Sequence, residues 1–216
     1  MTKPGLFVTF EGGDGSGKTT QMQLLTNRLR QMGHDVLETA EPGGTPIGKQ
    51  IRRILLDPEN QSLSPRAELL LYFASRAQNV DEWIRPALKA GRVVVCDRFT
   101  DSTLAYQGLG RNLTEDVVMQ VHAIACGEVM PDITIYLDID YRTGLERART
   151  RNAQRQSDSQ PDETRMDEQA EEFHAHVRHA FQSLAERYPE RIHRIDGSCG
   201  MDAVHAEIWT KIAPYV

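Results

Sequence analysis

Short apolar runs alternate with amphipathic stretches along most of the chain. Leu6-Phe-Val-Thr-Phe10 is almost continuously apolar and ends in Glu11 and glycines, the mark of a strand buried on both faces of a parallel sheet. Val93–Asp97 and Ile133–Asp138 repeat that pattern. Val36-Leu37 with Thr39 gives a weaker strand, and Ile192–Ile195 a short one. Between them, Met22, Leu24, Leu25, Leu29 and Met32 recur at helical spacing over Thr19–Met32, with Gly33 placed as the C-cap. Thr45-Pro46 and Ser64-Pro65 each set a capping hydroxyl before a proline at the first helical position. The first predicts a helix through Leu56; the second predicts a long helix toward Ala90, bent at Pro86. Thr114 caps a helix over about 115–127, and another covers about 202–213. This alternation predicts an α/β doubly wound domain with its binding crevice at the carboxyl ends of the strands.

Residues 151–168, RNAQRQSDSQPDETRMDE, break the pattern. They carry almost no apolar side chains and are expected to form a surface loop outside the core. Neither an internal repeat nor an interdomain linker is visible, so residues 1–216 are expected to form a single domain. Hydrophobic residues make up 39% of the chain, enough with its glycines for a globular core. The formal net charge of -6 argues against nucleic-acid and membrane-surface partners, which would repel it. Cys96, Cys126 and Cys199 are too few and too scattered for a disulfide framework or a zinc site. The first apolar run is too short for a signal peptide, and the expectation is a cytoplasmic protein.

The string Gly12-Gly13-Asp14-Gly15-Ser16-Gly17-Lys18-Thr19 fits G-x-x-x-x-G-K-[ST], and it stands between a buried strand and a helix. Such glycines let backbone N–H groups turn inward as an anion nest, and the helix N-terminus adds partial positive charge. Lys18 can reach the β- and γ-phosphates of a nucleoside triphosphate, and the Thr19 hydroxyl can hold Mg²⁺. A GTPase switch, an ATPase motor and a small-acceptor kinase all use such a loop. The chain lacks an N-K-x-D guanine reader, and a motor would usually be larger or basic. A kinase needs a second anion site, which Asp97 and Arg98 could supply: Asp97 beside the metal, Arg98 gripping an acceptor phosphate. The pair could equally be a structural ion pair. Tyr72 and Arg76 share a helix face and suit a base that is stacked and hydrogen-bonded at once, though Tyr72 or Phe73 could simply pack the core.

Six motifs then fall in order: FEGGDGSGKTT at 10–20, EPGGTPIGKQIR at 41–52, LLLYFASRAQ at 69–78, CDRFTDSTLAYQG at 96–108, PDITIYLDI at 131–139 and GLERARTR at 144–151. With them the chain resembles the bacterial thymidylate kinase family over essentially its whole length. It is similar to the type with lid arginines and none in the phosphate loop, where Gly15 stands here. The resemblance implies a P-loop nucleoside-monophosphate kinase fold with a five-stranded parallel sheet and a mobile lid at about 149–168. It implies transfer of the ATP γ-phosphoryl group to dTMP with Mg²⁺, by a homodimer.

Residue by residue, the resemblance assigns Gly12 to Thr20 and Arg149 to ATP, and Thr19 and Asp97 to the metal. It puts Asp14 on the dTMP sugar, Arg52 and Arg98 on the acceptor phosphate, and Glu41 and Phe73 on the substrate side. Tyr72 falls at the thymine stack, Arg76, Thr103 and Gln107 at the base edge, and Tyr106 under the deoxyribose. Lys18, Arg98, Asp97, Asp14 and a lid arginine form the catalytic set. Arg151 matches the lid position best, with Arg149 and Arg165 behind it. Ala40 departs from the family's arginine, and the lid is longer than usual. Another nucleoside-monophosphate or deoxynucleoside kinase is the alternative, followed by a non-catalytic nucleotide-binding switch. His174, His176 and His179 lie on a charged helix without ligand spacing, and Cys96 follows a buried valine run as a small hydrophobe would.

Overall fold

The computed structural model describes residues 5–157 and 163–216, with residues 151–157 described by their backbone alone. Strands β1 (Leu6–Glu11), β2 (Val36–Ala40), β3 (Val93–Asp97), β4 (Ile133–Asp138) and β5 (Ile192–Asp196) form one sheet in the order β2-β3-β1-β4-β5. Every pairing in it is parallel. Phe10 pairs with Asp97 and Glu11 with Tyr136, so the ends of β1, β3 and β4 meet at one carboxyl edge. The chain leaves β1 first toward β2 and β3 and later crosses to β4 on the other side, which opens a crevice at that edge.

Both faces of the sheet are covered, which is why its strands read as apolar without alternation. Leu6, Val8 and Phe10 pack with α1 (Lys18–Gln31) and α9 (Met201–Ile212). Phe7, Val94 and Tyr136 pack with α3 (Pro65–Asn79), α6 (Glu115–Cys126) and α8 (Glu171–Arg187) on the other face. The predicted caps are present. Thr45 accepts the Gly48 N–H at the start of α2 (Pro46–Leu56), Ser64 accepts that of Ala67, and Thr114 that of Val117. Gly33, at φ 90°, turns the chain out of α1. Among the described residues no helix is long and apolar enough to cross a membrane.

The long helix expected from Pro65 continues as helical chain, with its pitch changing ahead of Pro86. A widened π turn at Val80–Ile84 leads into α4 (Arg85–Lys89). Proline has no N–H to donate to the preceding turn, and a widened turn accommodates it without breaking the helix. A second π turn, Leu104–Leu109, follows α5 (Thr100–Thr103).

The surface-loop expectation for 151–168 is corrected at both ends. Helix α7 (Tyr141–Ser157) runs through the first part. Beyond it, Arg165 and Met166 are buried against α2 and α3. Arg165 Nε donates to the Leu55 carbonyl at 2.8 Å, and its NH1 to Glu68 Oε2 at 2.8 Å. Counting apolar residues overlooks a guanidinium whose three nitrogens each donate to a buried acceptor, which can be buried as core.

Candidate active site

The phosphate loop takes its shape from glycine at two crowded places. A Cβ on Gly12, at φ 135°, would lie 2.5 Å from the Leu137 carbonyl oxygen. A Cβ on Gly15, at φ 69°, would lie 2.1 Å from that of Gly144, in the first turn of α7. Position 15 therefore has no room for an arginine unless α7 moves. Lys18 folds back over the loop, donating from Nζ to the carbonyls of Gly12 at 3.1 Å and Gly13 at 2.8 Å. Burial, with Arg98 beside it, pulls the Lys18 ammonium down to about 8, against the opposing pull of Asp97, Asp14 and Glu11. A lysine shifted this way carries its charge below about 8 and loses it above. Triphosphate binding to the free protein is therefore expected to weaken as pH rises through about 8. Calorimetric titration across that range checks this: Lys18→Arg should flatten the profile, and a flat wild-type profile would refute it.

Arg98 stands at the meeting point of loop and cavity. It is a non-glycine residue at φ 68°, a conformation costing about 1–2 kcal/mol. Its backbone N–H donates to Phe10 O at 2.9 Å, NH1 to Gly12 O at 3.0 Å, and NH2 to Asp14 Oδ1 at 2.8 Å. Its guanidinium carbon lies 5.0 Å from the Tyr106 ring centroid. The loop is clamped from behind by Glu11, which sequence reading did not single out. Glu11 receives the Phe99 N–H at 2.7 Å and the Ser102 hydroxyl, which in turn accepts from Arg98 NH1 at 3.1 Å. Burial and then nearby Asp101 push the Glu11 carboxyl up to about 7, against Ser102 and Arg98.

Arg98 thus pairs with Asp14, and the structural pairing of Asp97 with Arg98 is not formed. Asp97 Oδ1 is buried with no hydrogen-bond partner among the described residues, at the crevice that Lys18 and Thr19 also line. An orphaned carboxylate oxygen there fits a nearby hydrated cation. Among the described residues no three His, Cys, Asp or Glu side chains cluster as a cage.

Beside the loop lies a cavity lined among others by Asp14, Arg52, Tyr72, Arg76, Thr103, Tyr106 and Gln107. The structure brings these residues, named separately in the sequence, to one wall of the fold. Arg76 is almost wholly buried: Nε donates to Glu41, NH1 to Thr103 Oγ1 at 3.0 Å and NH2 to the Phe99 carbonyl at 3.0 Å. Burial, reinforced by Glu68, raises the Tyr72 hydroxyl to about 12, so its ring enters the cavity neutral.

Several placements differ from expectation. Phe73, expected on the substrate side, is packed into the core 4.7 Å beneath the Arg76 guanidinium, because it lies one helical step around from Tyr72. Arg52 holds Glu163 through two hydrogen bonds of 2.8 Å. Arg165 is a buried ion-pair partner of Glu68 and is removed as a candidate lid cation. Arg149 is exposed on α7, while Arg147 from the same helix lines the phosphate crevice. Lys49 and Arg53 from α2 line that crevice too, giving positive charge near Ala40. Their four-residue spacing was the sequence signal that could have found them. Arg151 lies on α7, and its side chain falls outside the described residues.

Comparison with known proteins gives concordant findings. Residues 10–208 match the family model described as Thymidylate kinase. The curated thymidylate kinase of Pelobacter propionicus is 48% identical over 208 residues, covering 96% of this chain and 94% of its own. That of Geobacter sulfurreducens is 50% identical over 199 residues, covering 92% of each. The crystal structure of thymidylate kinase from Ehrlichia chaffeensis superposes with a TM-score of 0.74 at 34% identity, over 96% of this chain and 98% of that one.

Proposed function

The chain belongs to the thymidylate kinase family, and on that premise we propose that it transfers the γ-phosphoryl group of ATP to dTMP, giving dTDP and ADP for dTTP synthesis. Its sheet and flanking helices are those of the P-loop nucleoside-monophosphate kinase fold. The observation that carries the reading is the shared boundary of two sites. Asp14 and Arg98 line both the phosphate crevice and the aromatic cavity, so a donor and an acceptor would meet at them.

Residues Gly12 to Thr20 hold the donor phosphates, with Lys18 at the β- and γ-groups. Thr19 and Asp97 would hold Mg²⁺, which when bound neutralises charge on the donor phosphates. Arg98 and Arg52 orient the acceptor phosphate. The incoming phosphate competes with the Glu163 carboxylate for the Arg52 fork. Tyr72 stacks on thymine, Arg76, Thr103 and Gln107 face its edge, and Glu41 sets Arg76 in place. Asp14 takes the deoxyribose 3′-hydroxyl, and Tyr106 leaves no space for a 2′-hydroxyl. The acceptor phosphate is already largely dianionic at pH 7, its second pKa being about 6, so no general base is required.

The lid arginines on α7 supply the cations for charge that spreads in the transition state, Arg151 at the transferred group and Arg149 at ATP. Arg151→Ala should lower kcat by roughly 10²–10³ with the KM for dTMP little changed. A full-rate variant would shift the role to Arg147. The cytoplasm and a homodimer complete the reading, the latter supported by exposed Leu70 on α3 and Val117 and Ile124 on α6.

The test is ADP production from Mg·ATP with dTMP, dUMP, dCMP, AMP, GMP and thymidine offered separately. Strong preference for dTMP with thymidine inert is expected. Turnover of thymidine would make this a nucleoside kinase, and another preferred monophosphate would remove the base-edge assignments. ATP binding without any turnover would favour a switch.

A further inference from the structure

Glu68 is wholly buried on α3, one turn before Tyr72 and two before Arg76, and it has no part in the reaction as described. Its carboxylate collects donors from three residues. Oε1 accepts from Gln107 Nε2 at 2.9 Å and Arg111 Nε at 3.3 Å. Oε2 accepts from Arg165 NH1 at 2.8 Å, from Arg165 NH2, and from Arg111 NH2 at 3.4 Å. Arg111 is steadied in turn by Gln169 Oε1 at 2.9 Å, and Arg165 by the Leu55 carbonyl.

We propose that Glu68 is a positioning residue that fixes which end of the Gln107 amide faces the acceptor cavity, and so selects imide pyrimidines over cytosine. The two ends of a glutamine amide have nearly the same shape, and only their partners distinguish them. A carboxylate held between two guanidiniums offers lone pairs alone, so Gln107 must give it the NH₂ end. Reversal would bury two acceptors face to face. The carbonyl Oε1 is therefore the end left for the cavity that Gln107 lines.

Thymine and uracil present a carbonyl at C4 and an N–H at N3, and so require a donor followed by an acceptor. Arg76 and Gln107 Oε1, both at the wall of the cavity, would supply that order. Cytosine presents an amino group and a bare N3, which reverses both. Discrimination of this kind is set by buried groups left unpaired, and it exceeds what shape alone gives. The inference rests on the reading of the cavity as the dTMP site.

Glu68→Gln is nearly isosteric but can turn its own NH₂ toward Gln107, which frees the Gln107 amide to flip. The kcat/KM ratio of dTMP to dCMP should fall at least about tenfold, with a gain for dCMP and the KM for ATP unchanged. A merely structural role would depress both substrates together and leave the ratio intact, and that result would overturn the proposal. Should Glu68→Gln fail to fold, wild type and Gln107→Met are compared on dTMP and N3-methyl-dTMP. Wild type should reject the methylated substrate about 100-fold, and Gln107→Met should narrow that gap. Equal use of both by wild type, or an unchanged gap in the variant, would overturn it. A wild-type enzyme inert toward dTMP and dCMP alike would overturn the underlying reading instead, a result that no variant at Glu68 or Gln107 can produce.

Discussion

Lys18→Ala is expected to lower kcat by roughly 10²–10³ with little loss of stability. The two expectations follow from different contacts of one side chain. Lys18 Nζ donates to the loop carbonyls, where the β- and γ-phosphates are read to sit, and phosphoryl transfer depends almost wholly on positioning and charge. The fold, by contrast, does not need the ammonium. The Gly12 carbonyl keeps Arg98 NH1 at 3.0 Å, and Gly13 is only partly buried, so water can replace the lysine there. Lys18 also sits in a depressed state with its pKa near 8, so its removal relieves a buried charge. Steady-state kinetics with thermal melting separates the two effects. A variant turning over dTMP at the wild-type rate would require another crevice cation, such as Arg147, to carry the γ-phosphoryl group.

Arg76→Ala should show the opposite balance, with a large loss of stability beside the loss of dTMP binding. The variant strands Glu41, which is as buried as Arg76 itself. Removing one member of such a pair costs about 3–5 kcal/mol. For a chain of this size that lowers Tm by roughly 2–4 °C per kcal/mol. Burial already raises the Glu41 carboxyl, and Arg76 is the first influence holding it down. Without Arg76 the folded state binds a proton that the unfolded state releases above about 4.5. Stability of the variant should therefore fall as pH rises from acid toward neutral, more steeply than in wild type. Glu41→Gln added to Arg76→Ala should recover part of the loss and flatten that dependence. Melting from pH 5 to 8 tests it, and an Arg76→Ala protein that melts like wild type would show that the pair is dispensable to the fold.

What could be read in the sequence follows the range of the interaction. Strands covered on both faces, hydroxyl–proline caps and the phosphate loop are written in adjacent residues, and they appear as expected. The cavity-lining residues Tyr72 and Arg76 were legible because spacing and family motif agree on them, and Thr103 and Gln107 through the motif alone. Phe73 was misplaced because neighbours in a helix face different ways, one to the cavity and one to the core. Glu68 and Arg165 were hidden for another reason. They are 97 residues apart, and nothing local to either tells of the other. Glu163 on Arg52 and Glu11 behind Ser102 are similarly long-range, spanning 111 and 91 residues. Charged residues in a polar stretch look solvated until the fold supplies their partners. The π turns also escaped notice, since helical periodicity continues across them.

The contact of Gly15 with Gly144 has a consequence for how such an enzyme can change. A Cβ on Gly15 would strike the Gly144 carbonyl, and one on Gly144 would lie 2.5 Å from the Asp14 carbonyl. Two main chains, from the loop and from the helix that carries Arg147, Arg149 and Arg151, touch there with no side chain between them. Each glycine is held in place by a main-chain carbonyl of the facing segment, so changing one makes no room for changing the other. An arginine in the loop and arginines on the helix are then alternative solutions separated by a barrier, since every one-step path between them begins with a collision.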